Sequence, residues 1–263
     1  MRNRFRGLQI IMLPSTNKDY FVFVPAFNVA NTLVAVLQKI PDSVWKRACV
    51  LVIDDGSVDG THETFDEYVA GLDDGDEKKR SLRYMRFEQN RGYGAVVKKG
   101  LAEALHAKSR FVACLHGDAQ YPANQLGEFF DCLEKHDTLA LVQGSRHLTR
   151  GGAKAGKMPL HKRLGGKFLT KVENIAFRQK LTDRHSGYIV YSAEFLKTVN
   201  LEKLSPSFDI DLELIAIADA RGLALAELPI PTRYAEEKSN LNVVTYGLRV
   251  LLQVGRRLCK RPS

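Results

Sequence analysis

The segment Arg110–Pro122, which reads R-F-V-A-C-L-H-G-D-A-Q-Y-P, decides the fold class of this chain. Its apolar run Phe111–Leu115 predicts a buried strand, and Pro122 predicts the start of a helix shortly afterwards. Between them, Asp118 and Gln120 bring one carboxylate and one amide oxygen to the strand end. In an open parallel sheet, ligands bind just beyond the carboxyl ends of the strands. Two hard oxygen donors there suit Mg²⁺ or Mn²⁺ on nucleotide phosphates, and a polar loop that caps a helix is the structural alternative.

Strand-like and helix-like segments alternate on both sides of this segment. Strands are predicted at Tyr20–Val24, Val50–Ile53, Leu82–Phe87, Phe111–Leu115, Leu139–Val142 and Ala224–Leu228, with a strand-like end to Thr182–Tyr191. Helices are predicted at Val29–Ile40, Gly60–Ala70, Ala95–Ala107, Pro122–Lys135, Leu160–Phe177 and Asp211–Arg221, and an acidic loop at Gly71–Lys79. The alternation predicts an α/β fold, with a mostly parallel, Rossmann-like sheet flanked by helices.

Length and composition are those of a soluble globular domain. The 263 residues are enough for a sizeable core, and 26% are charged and 44% hydrophobic. No apolar run approaches the roughly 20 residues of a membrane span. The four cysteines lack the spacing of a metal site, which favours free thiols in a reducing compartment.

The net charge of +9 predicts an anionic partner. Between Arg146 and Lys180 there are ten lysines and arginines and a single acid, Glu173. A solvated basic face, a lipid phosphate or membrane surface, and nucleic acid all remain open. The charge and hydropathy patterns divide the chain into a basic N-terminal arm (1–19), a main domain (20–239) and a C-terminal amphipathic basic helix (240–263).

Polar residues also follow the other predicted strands. Asp54 and Asp55 stand at the end of the second strand, where adjacent carboxylates are costly unless they meet hydrogen-bond donors or a cation. Turn formation is the structural alternative, since Asp, Gly and Ser favour tight turns. Pro25–Asn28 and Asn90–Gly94 reach the same predicted edge. Four strand ends of this composition are hard to explain as turns alone, and they favour a ligand site at this edge.

These motifs resemble family 2 glycosyltransferases, which have the GT-A fold. The resemblance rests on P-A-F-N (Pro25–Asn28), V-I-D-D-G-S-V-D-G-T (Val52–Thr61), N-R-G-Y-G (Asn90–Gly94), H-G-D-A-Q-Y-P (His116–Pro122) and G-S-R (Gly144–Arg146). Three further motifs are similar to the polyprenyl-phosphate branch, which includes the dolichol-phosphate mannose and glucose synthases. They are H-S-G-Y (His185–Tyr188), F-D-I-D-L-E (Phe208–Glu213) and E-L-P-I-P-T-R-Y (Glu227–Tyr234) followed by Lys238.

The resemblance implies an inverting, metal-dependent transfer of a hexose from a nucleotide-diphosphate sugar to a polyprenyl phosphate of the dolichyl or undecaprenyl type. It assigns the nucleotide sugar to Pro25, Phe27, Asp54, Asp55, Asn90, Gly94 and Asp118. It assigns Mg²⁺ or Mn²⁺ to Asp118 and Gln120. The acceptor is assigned to Arg146, His185, Ser186 and Lys238.

Two departures from the family pattern stand out. His116 occupies the position of the first aspartate of the family's D-x-D motif, so the metal site has one carboxylate fewer. A neutral imidazole binds Mn²⁺ but is a poor ligand for Mg²⁺. Phe27 and Val29 replace the tyrosine and glutamate of the family's P-x-Y-N-E, which leaves the nucleobase undetermined.

The nature of the acceptor decides what the catalytic residues do. A lipid phosphate is already anionic at neutral pH and needs no base, whereas a sugar or glycolipid hydroxyl needs one. Beside Asp118, the catalytic candidates are therefore Asp211 and Glu213, whose structural alternative is a charge pair at a helix N-terminus.

Three functions follow. The favoured one is a transferase bound peripherally at the cytoplasmic face of an anionic membrane. Its expected partners are a nucleotide sugar and a lipid-linked acceptor, and no nucleic acid. The second is a transferase to hydroxyl groups. The third is an inactive basic scaffold that binds membrane or nucleic acid.

Overall fold

A computed structural model describes residues 18–148, 170–171, 174–175 and 180–231. In this part of the chain the strands form one seven-stranded sheet of order β3-β2-β1-β4-β6-β5-β7. They are β1 (Tyr20–Ala26), β2 (Ala48–Asp54), β3 (Leu82–Arg86), β4 (Phe111–Cys114), β5 (Leu139–Ser145), β6 (Ile189–Ser192) and β7 (Ala224–Pro229). Strands β1 to β4 are mutually parallel, β7 is parallel to β5, and β6 runs antiparallel between β4 and β5.

Helices cover both faces of this sheet. Numbered within the described residues, they are α1 (Leu33–Gln38), α2 (Asp42–Trp45), α3 (Thr61–Ala70), α4 (Glu77–Ser81), α5 (Tyr93–His106), α6 (Leu126–Lys135), α7 (Ala193–Lys197) and α8 (Ile210–Ala220). Short 3₁₀ turns occupy Ala123–Gln125 and Leu201–Lys203.

The core has two halves because side chains of a strand alternate between the faces of the sheet. In β1, Tyr20, Val22 and Val24 pack into one cluster, with α1, α2, α3 and α6. Phe21 and Phe23 pack into the other, with α5, α7 and α8. A sheet buried on both faces explains why its central strands are continuous apolar runs.

The predicted mostly parallel α/β fold is confirmed, with local differences. The helix predicted at Val29–Ile40 is shorter, since α1 begins at Leu33 after a turn in which Asn28 has φ of 54°. The loop predicted at Gly71–Lys79 contains the start of α4, whose N-cap Asp76 accepts a hydrogen bond from the Lys78 amide. The antiparallel direction of β6 was not predicted.

Several predicted segments lie outside the described residues. These are residues 1–17 of the basic arm, residues 240–263 of the C-terminal helix, Lys238, and all of Leu160–Phe177 except residues 170–171 and 174–175. Of the four cysteines, Cys49 and Cys114 are buried and Cys132 is partly buried. Among the described helices, none combines the length and apolarity needed to cross a membrane.

Candidate active site

Four parallel strands end at one edge of the sheet and are bonded to one another there. Asp54, the last residue of β2, lies in register with Ala26 of β1 and Arg86 of β3. The Asp55 amide donates to the Ala26 carbonyl at 2.8 Å. The Gly117 amide, just beyond β4, donates to the Pro25 carbonyl at 3.0 Å. The convergence of these strand ends, expected from the sequence, is therefore present.

Asp54 is fully buried, and protein groups satisfy its carboxylate. One oxygen accepts hydrogen bonds from the amide (2.8 Å) and the hydroxyl of Ser57. The other accepts one from the Tyr84 hydroxyl at 2.6 Å and lies 3.5 Å from Nε of Arg86. This carboxylate holds the turn after β2, and its charge is balanced by Arg86.

Asp55 is only 4% exposed and connects this turn to the glycine-rich loop. Its two oxygens accept one hydrogen bond each, from the Arg91 amide at 2.7 Å and the Gly92 amide at 2.9 Å. Burial raises the pKa of Asp55, and the two backbone hydrogen bonds oppose that shift. Because a carboxylate oxygen can accept more than one hydrogen bond, Asp55 retains acceptor capacity for a ligand.

The remaining nucleotide-site candidates differ in exposure. Phe27 is 38% exposed and Pro25 is partly buried on the adjoining strand end. Asn90 is exposed. Gly94 is buried where α5 packs closely against the backbone at Pro206. A Cβ at this position would lie 2.2 Å from the carbonyl carbon of Pro206.

Asp118 and Gln120 lie together in the turn after β4. One oxygen of Asp118 accepts a hydrogen bond from the Gln120 amide at 3.0 Å. The residue between them, Ala119, has φ of 59°, a left-handed conformation that costs energy for a residue other than glycine. Asp118 is partly exposed and Gln120 is exposed.

The donor set at this turn determines which metal ions it fits. Within the described residues, no three His, Cys, Asp or Glu side chains converge as a metal cluster would. Mg²⁺ is usually held by one or two carboxylates together with water and substrate phosphates. The carboxylate of Asp118 and the amide oxygen of Gln120 fit that mode of binding, in which the nucleotide completes the coordination.

The carboxyl group of Asp211 lies in a buried cluster of phenols. Tyr93 of α5 donates to one oxygen at 2.9 Å, and Tyr191 of β6 donates to the other at 3.3 Å. Burial raises the pKa of Asp211 to about 7, against the opposing effect of the two hydrogen bonds. This group therefore changes charge near neutral pH, as a general acid or base must.

Glu213, the other candidate base, has a different environment. It accepts a hydrogen bond from the Ser205 amide at 2.6 Å, at the N-terminal end of α8. Asp209 accepts one from the Ser205 hydroxyl at 2.6 Å. Asp211 and Glu213, although two residues apart in the sequence, are thus bonded to different parts of the molecule.

The acceptor candidates form a second group, next to β5 and β6. Arg146 makes a bidentate ion pair with the buried Asp183, with N–O distances of 2.6 and 2.8 Å. Burial alone would raise the pKa of Asp183, but the charge and hydrogen bonds of Arg146 lower it to about 2. Burial lowers the pKa of His185 to about 4, so its ring is neutral at pH 7. Ser186 is 1% exposed, and its carbonyl accepts from the Gln143 side chain at 2.8 Å.

The sequence motifs did not reveal three residues that organise these groups: Tyr93, Tyr191 and Asp183. Tyr93 lies inside the glycine-rich motif, and its direct contact with Asp211 joins two motifs that are distant in the sequence. Tyr191 and Ile189 alternate with Val190 on β6, and the alternation is the signal that both face the α5–α8 side of the core. Asp183 immediately precedes the R-H-S-G-Y stretch, but nothing local indicates that it is buried.

The sheet brings carboxylates to the carboxyl ends of its parallel strands, where open α/β sheets bind their ligands. Residues 21–199 match the family described as "Glycosyl transferase family 2", so the chain belongs to that family.

Similar proteins include an uncharacterized one and two with a described activity. An uncharacterized protein of Methanocaldococcus jannaschii is 29% identical, over 90% of this chain and 92% of that protein. A dolichyl-phosphate beta-glucosyltransferase of Trichomonas vaginalis is 27% identical, over 82% of this chain and 64% of that protein. A UDP-N-acetylglucosamine–dolichyl-phosphate N-acetylglucosaminyltransferase of Methanococcus voltae is 22% identical, over 84% of this chain and 88% of that protein.

The fold matches the crystal structure of glucosyl-3-phosphoglycerate synthase from Mycobacterium tuberculosis in complex with UDP. That structure is 18% identical in sequence and has a TM-score of 0.63, covering 94% of this chain and 82% of the other. Another structure of the same protein contains Mn²⁺ and UDP. At this level of identity, the likeness establishes the GT-A fold alone.

Proposed function

We propose that this glycosyltransferase moves a hexose from a nucleoside-diphosphate sugar to a polyprenyl phosphate, with inversion at the anomeric carbon. The observation that carries the proposal is the turn at Asp118–Gln120. It presents two oxygen donors at the same sheet edge as Asp55, which retains acceptor capacity for the nucleoside. Two relatives are named as dolichyl-phosphate glycosyltransferases, which supports a lipid phosphate as acceptor.

In this proposal, Asp55 and Phe27 bind the nucleoside while Asp118 and Gln120 face the diphosphate. When bound there, Mg²⁺ or Mn²⁺ neutralises the charge that develops on the leaving diphosphate. A phosphate acceptor is already ionised, so the protein has to position it and exclude water rather than remove a proton. Arg146, His185, Ser186 and Lys238 are the proposed acceptor residues, within a catalytic domain that spans residues 20–239.

The proposed setting is the cytoplasmic face of a membrane, with the protein bound peripherally. The basic residues between Arg146 and Lys180, and those near the C-terminus, support attraction to an anionic lipid surface. Sedimentation with vesicles tests this part of the proposal. We expect binding to vesicles that contain phosphatidylserine, weak binding to phosphatidylcholine alone, and loss of binding at high salt. Equal binding to both vesicle types would contradict it.

A second candidate is transfer to a sugar or glycolipid hydroxyl, with Asp211 as general base. The pKa of about 7 for its carboxyl group favours this alternative, because a hydroxyl acceptor must lose a proton. The hydrogen bond from the Ser205 amide holds Glu213 at a different part of the molecule from Asp211.

One assay separates these functions. The protein is incubated with radiolabelled UDP-glucose, UDP-N-acetylglucosamine or GDP-mannose, with Mg²⁺ or Mn²⁺, and with either polyprenyl phosphate or a polyprenol of the same length. We expect label in the lipid phase only with the phosphate, and loss of transfer in Asp118→Asn. Transfer to the polyprenol that is abolished in Asp211→Asn would instead support the hydroxyl acceptor. Transfer to neither lipid would contradict a polyprenyl acceptor.

A further inference from the structure

His116 occupies the position of an expected metal-binding aspartate, but its ring lies among aromatic side chains. Its Nε2 atom is 3.2 Å from the Tyr93 hydroxyl oxygen. The ring meets the edge of Tyr121 at a centroid distance of 4.9 Å and an interplanar angle of 87°. It also lies against Gly187, where a Cβ would be 3.0 Å from Nε2. These contacts fix the ring from several sides.

The hydrogen bonds of Tyr93 determine which group donates to it. A phenol has one hydrogen, and Tyr93 gives it to the Asp211 carboxylate at 2.9 Å. With that hydrogen on the carboxylate, the contact between Tyr93 and His116 is a hydrogen bond from Nε2–H of the ring to the phenol oxygen, in the neutral tautomer that carries its hydrogen on Nε2. In that tautomer only Nδ1 retains a lone pair.

We propose that His116 is a positioning residue for the carboxyl group of Asp211, acting through Tyr93, rather than a ligand of the metal ion. The three side chains form the chain His116 Nε2–H to Tyr93 Oη, and Tyr93 Oη–H to Asp211 Oδ2. Tyr191 holds the other carboxyl oxygen. The proposal rests on the proposed transferase function, which places metal binding at Asp118 and Gln120, and its kinetic consequence applies to the second candidate function, in which Asp211 is the general base.

Packing explains why this position suits histidine better than the family's aspartate. The shorter aspartate side chain would end well before the Tyr93 oxygen and would leave that acceptor without its donor. It would also add a negative charge beside the buried carboxyl group of Asp211, which the surroundings already hold at a raised pKa. Gly187 leaves room for the imidazole, and a Cβ there would also lie 3.4 Å from an Asp211 oxygen.

Metal binding gives the direct test, because Nδ1 remains a potential ligand. The protein is titrated with Mn²⁺ in the presence of UDP, and free Mn²⁺ is measured by electron paramagnetic resonance. The wild type is compared with the variants His116→Ala, His116→Gln, Asp118→Asn and His136→Ala. His136 is an exposed histidine and serves as the matched control. We expect the Mn²⁺ dissociation constant to rise at least tenfold in Asp118→Asn and to stay within about twofold in the others. A tenfold rise in His116→Ala would overturn the proposal.

Kinetics tests the positioning role. For transfer to a hydroxyl acceptor, in which Asp211 is the base, we expect His116→Ala and Tyr93→Phe each to lower kcat at least tenfold with an unchanged KM for the sugar nucleotide, and the double variant to be no slower than either. In His116→Gln the amide donor replaces Nε2–H, so most of kcat should return. A KM effect alone, or losses that multiply in the double variant, would overturn the proposal.

A third measurement is independent of the proposed function. Nitrogen-15 NMR of the imidazole ring should show the Nε2–H tautomer of His116 in the wild type, and the Nδ1–H tautomer would overturn the proposal. If the wild-type protein binds neither Mn²⁺·UDP nor Mn²⁺·GDP, the proposed function fails. The ring tautomer still decides whether His116 supports Tyr93.

Discussion

The hydroxyl of Tyr93 donates a hydrogen bond to the carboxyl group of Asp211 at 2.9 Å, across 118 residues of sequence. This bond joins the start of α5, within the glycine-rich motif, to the start of α8. Tyr191, from β6, completes the environment of the same carboxyl group. Burial, together with the hydroxyls of Tyr93 from α5 and Tyr191 from β6, therefore sets its charge state.

The raised pKa of Asp211 predicts how its substitution changes the pH dependence of stability. A carboxyl group whose pKa is about 7 in the folded protein and about 3.9 in the unfolded chain binds protons more tightly when folded. Its contribution to the free energy of unfolding is therefore full below about pH 4 and is lost as the pH rises to about 7.

We expect Asp211→Asn to remove this dependence, so that the stability of wild type relative to the variant falls between pH 4 and pH 7. Each unit of pKa shift corresponds to about 1.4 kcal/mol. Urea unfolding at four pH values measures the difference. A difference that is the same at pH 4.5 and pH 7.5 would show that the carboxyl group titrates normally.

The Tyr84 hydroxyl is predicted to stabilise the protein without contacting the ligand. It donates to the buried Asp54, so Tyr84→Phe leaves that carboxylate with one donor fewer, at a cost of about 1–3 kcal/mol. UDP affinity should be unchanged. Tyr68→Phe is the matched control, since no described residue hydrogen-bonds to its hydroxyl. Denaturant unfolding and a UDP titration together check both statements, and equal stability losses in the two variants would contradict them.

The sheet could be predicted from the sequence because most of its strands are short apolar runs, and several are followed by polar residues or proline. Phe111–Leu115 and Val50–Ile53 agree with β4 and β2 to within two residues at each end. The direction of β6 could not be predicted, because side chains alternate in the same way in parallel and antiparallel strands. The position of Asp118 and Gln120 followed from the strand that precedes them.

Long-range polar pairs were beyond prediction from the sequence. Asp183 and Arg146 are 37 residues apart, and no local pattern distinguishes this ion pair from two solvated charges. His116 could be recognised as a departure from the family motif, but its contact with Tyr93 depends on how α5 packs against the sheet. Burial of a charged side chain is a property of the packed structure, not of the residues next to it.

The ion pair between Arg146 and Asp183 should contribute more to stability than a surface pair. The Arg146 side chain is 17% exposed and that of Asp183 is 2% exposed. Arg146→Met leaves a buried carboxylate without its counter-charge, which typically costs about 3–5 kcal/mol. Arg146→Met combined with Asp183→Asn should cost less, because the uncompensated charge is gone.

The pH dependence of stability distinguishes a structural role of this ion pair from a role of Arg146 in acceptor binding alone. The pKa of Asp183 is lowered to about 2, so its contribution to stability is present above about pH 4 and is lost as the pH falls towards 2. The stability difference between wild type and Arg146→Met should shrink over that range in thermal or urea unfolding. A variant with wild-type stability at pH 7 and weaker acceptor binding would mean that Arg146 acts on the ligand alone.

Gly94 is predicted to be required by a close approach of two backbone segments. A Cβ at this position would lie 2.2 Å from the Pro206 carbonyl carbon and 2.5 Å from the Ser207 nitrogen, and neither backbone atom can move aside as a flexible side chain would. We expect Gly94→Ala to lower the free energy of unfolding by about 1–3 kcal/mol, as overpacking of a core does. Gly75→Ala is the matched control, because nothing lies within 4 Å of its Cβ position, and it should change stability by less than about 0.5 kcal/mol.

Since α5 also carries Tyr93, Gly94→Ala should disturb the hydroxyl that holds Asp211, and the control should not. Urea unfolding of the two variants, with NMR of the His116 ring as a local probe, measures both effects. An unchanged ring signal in a destabilised Gly94→Ala protein would show that the strain is absorbed by the segment around Pro206 instead.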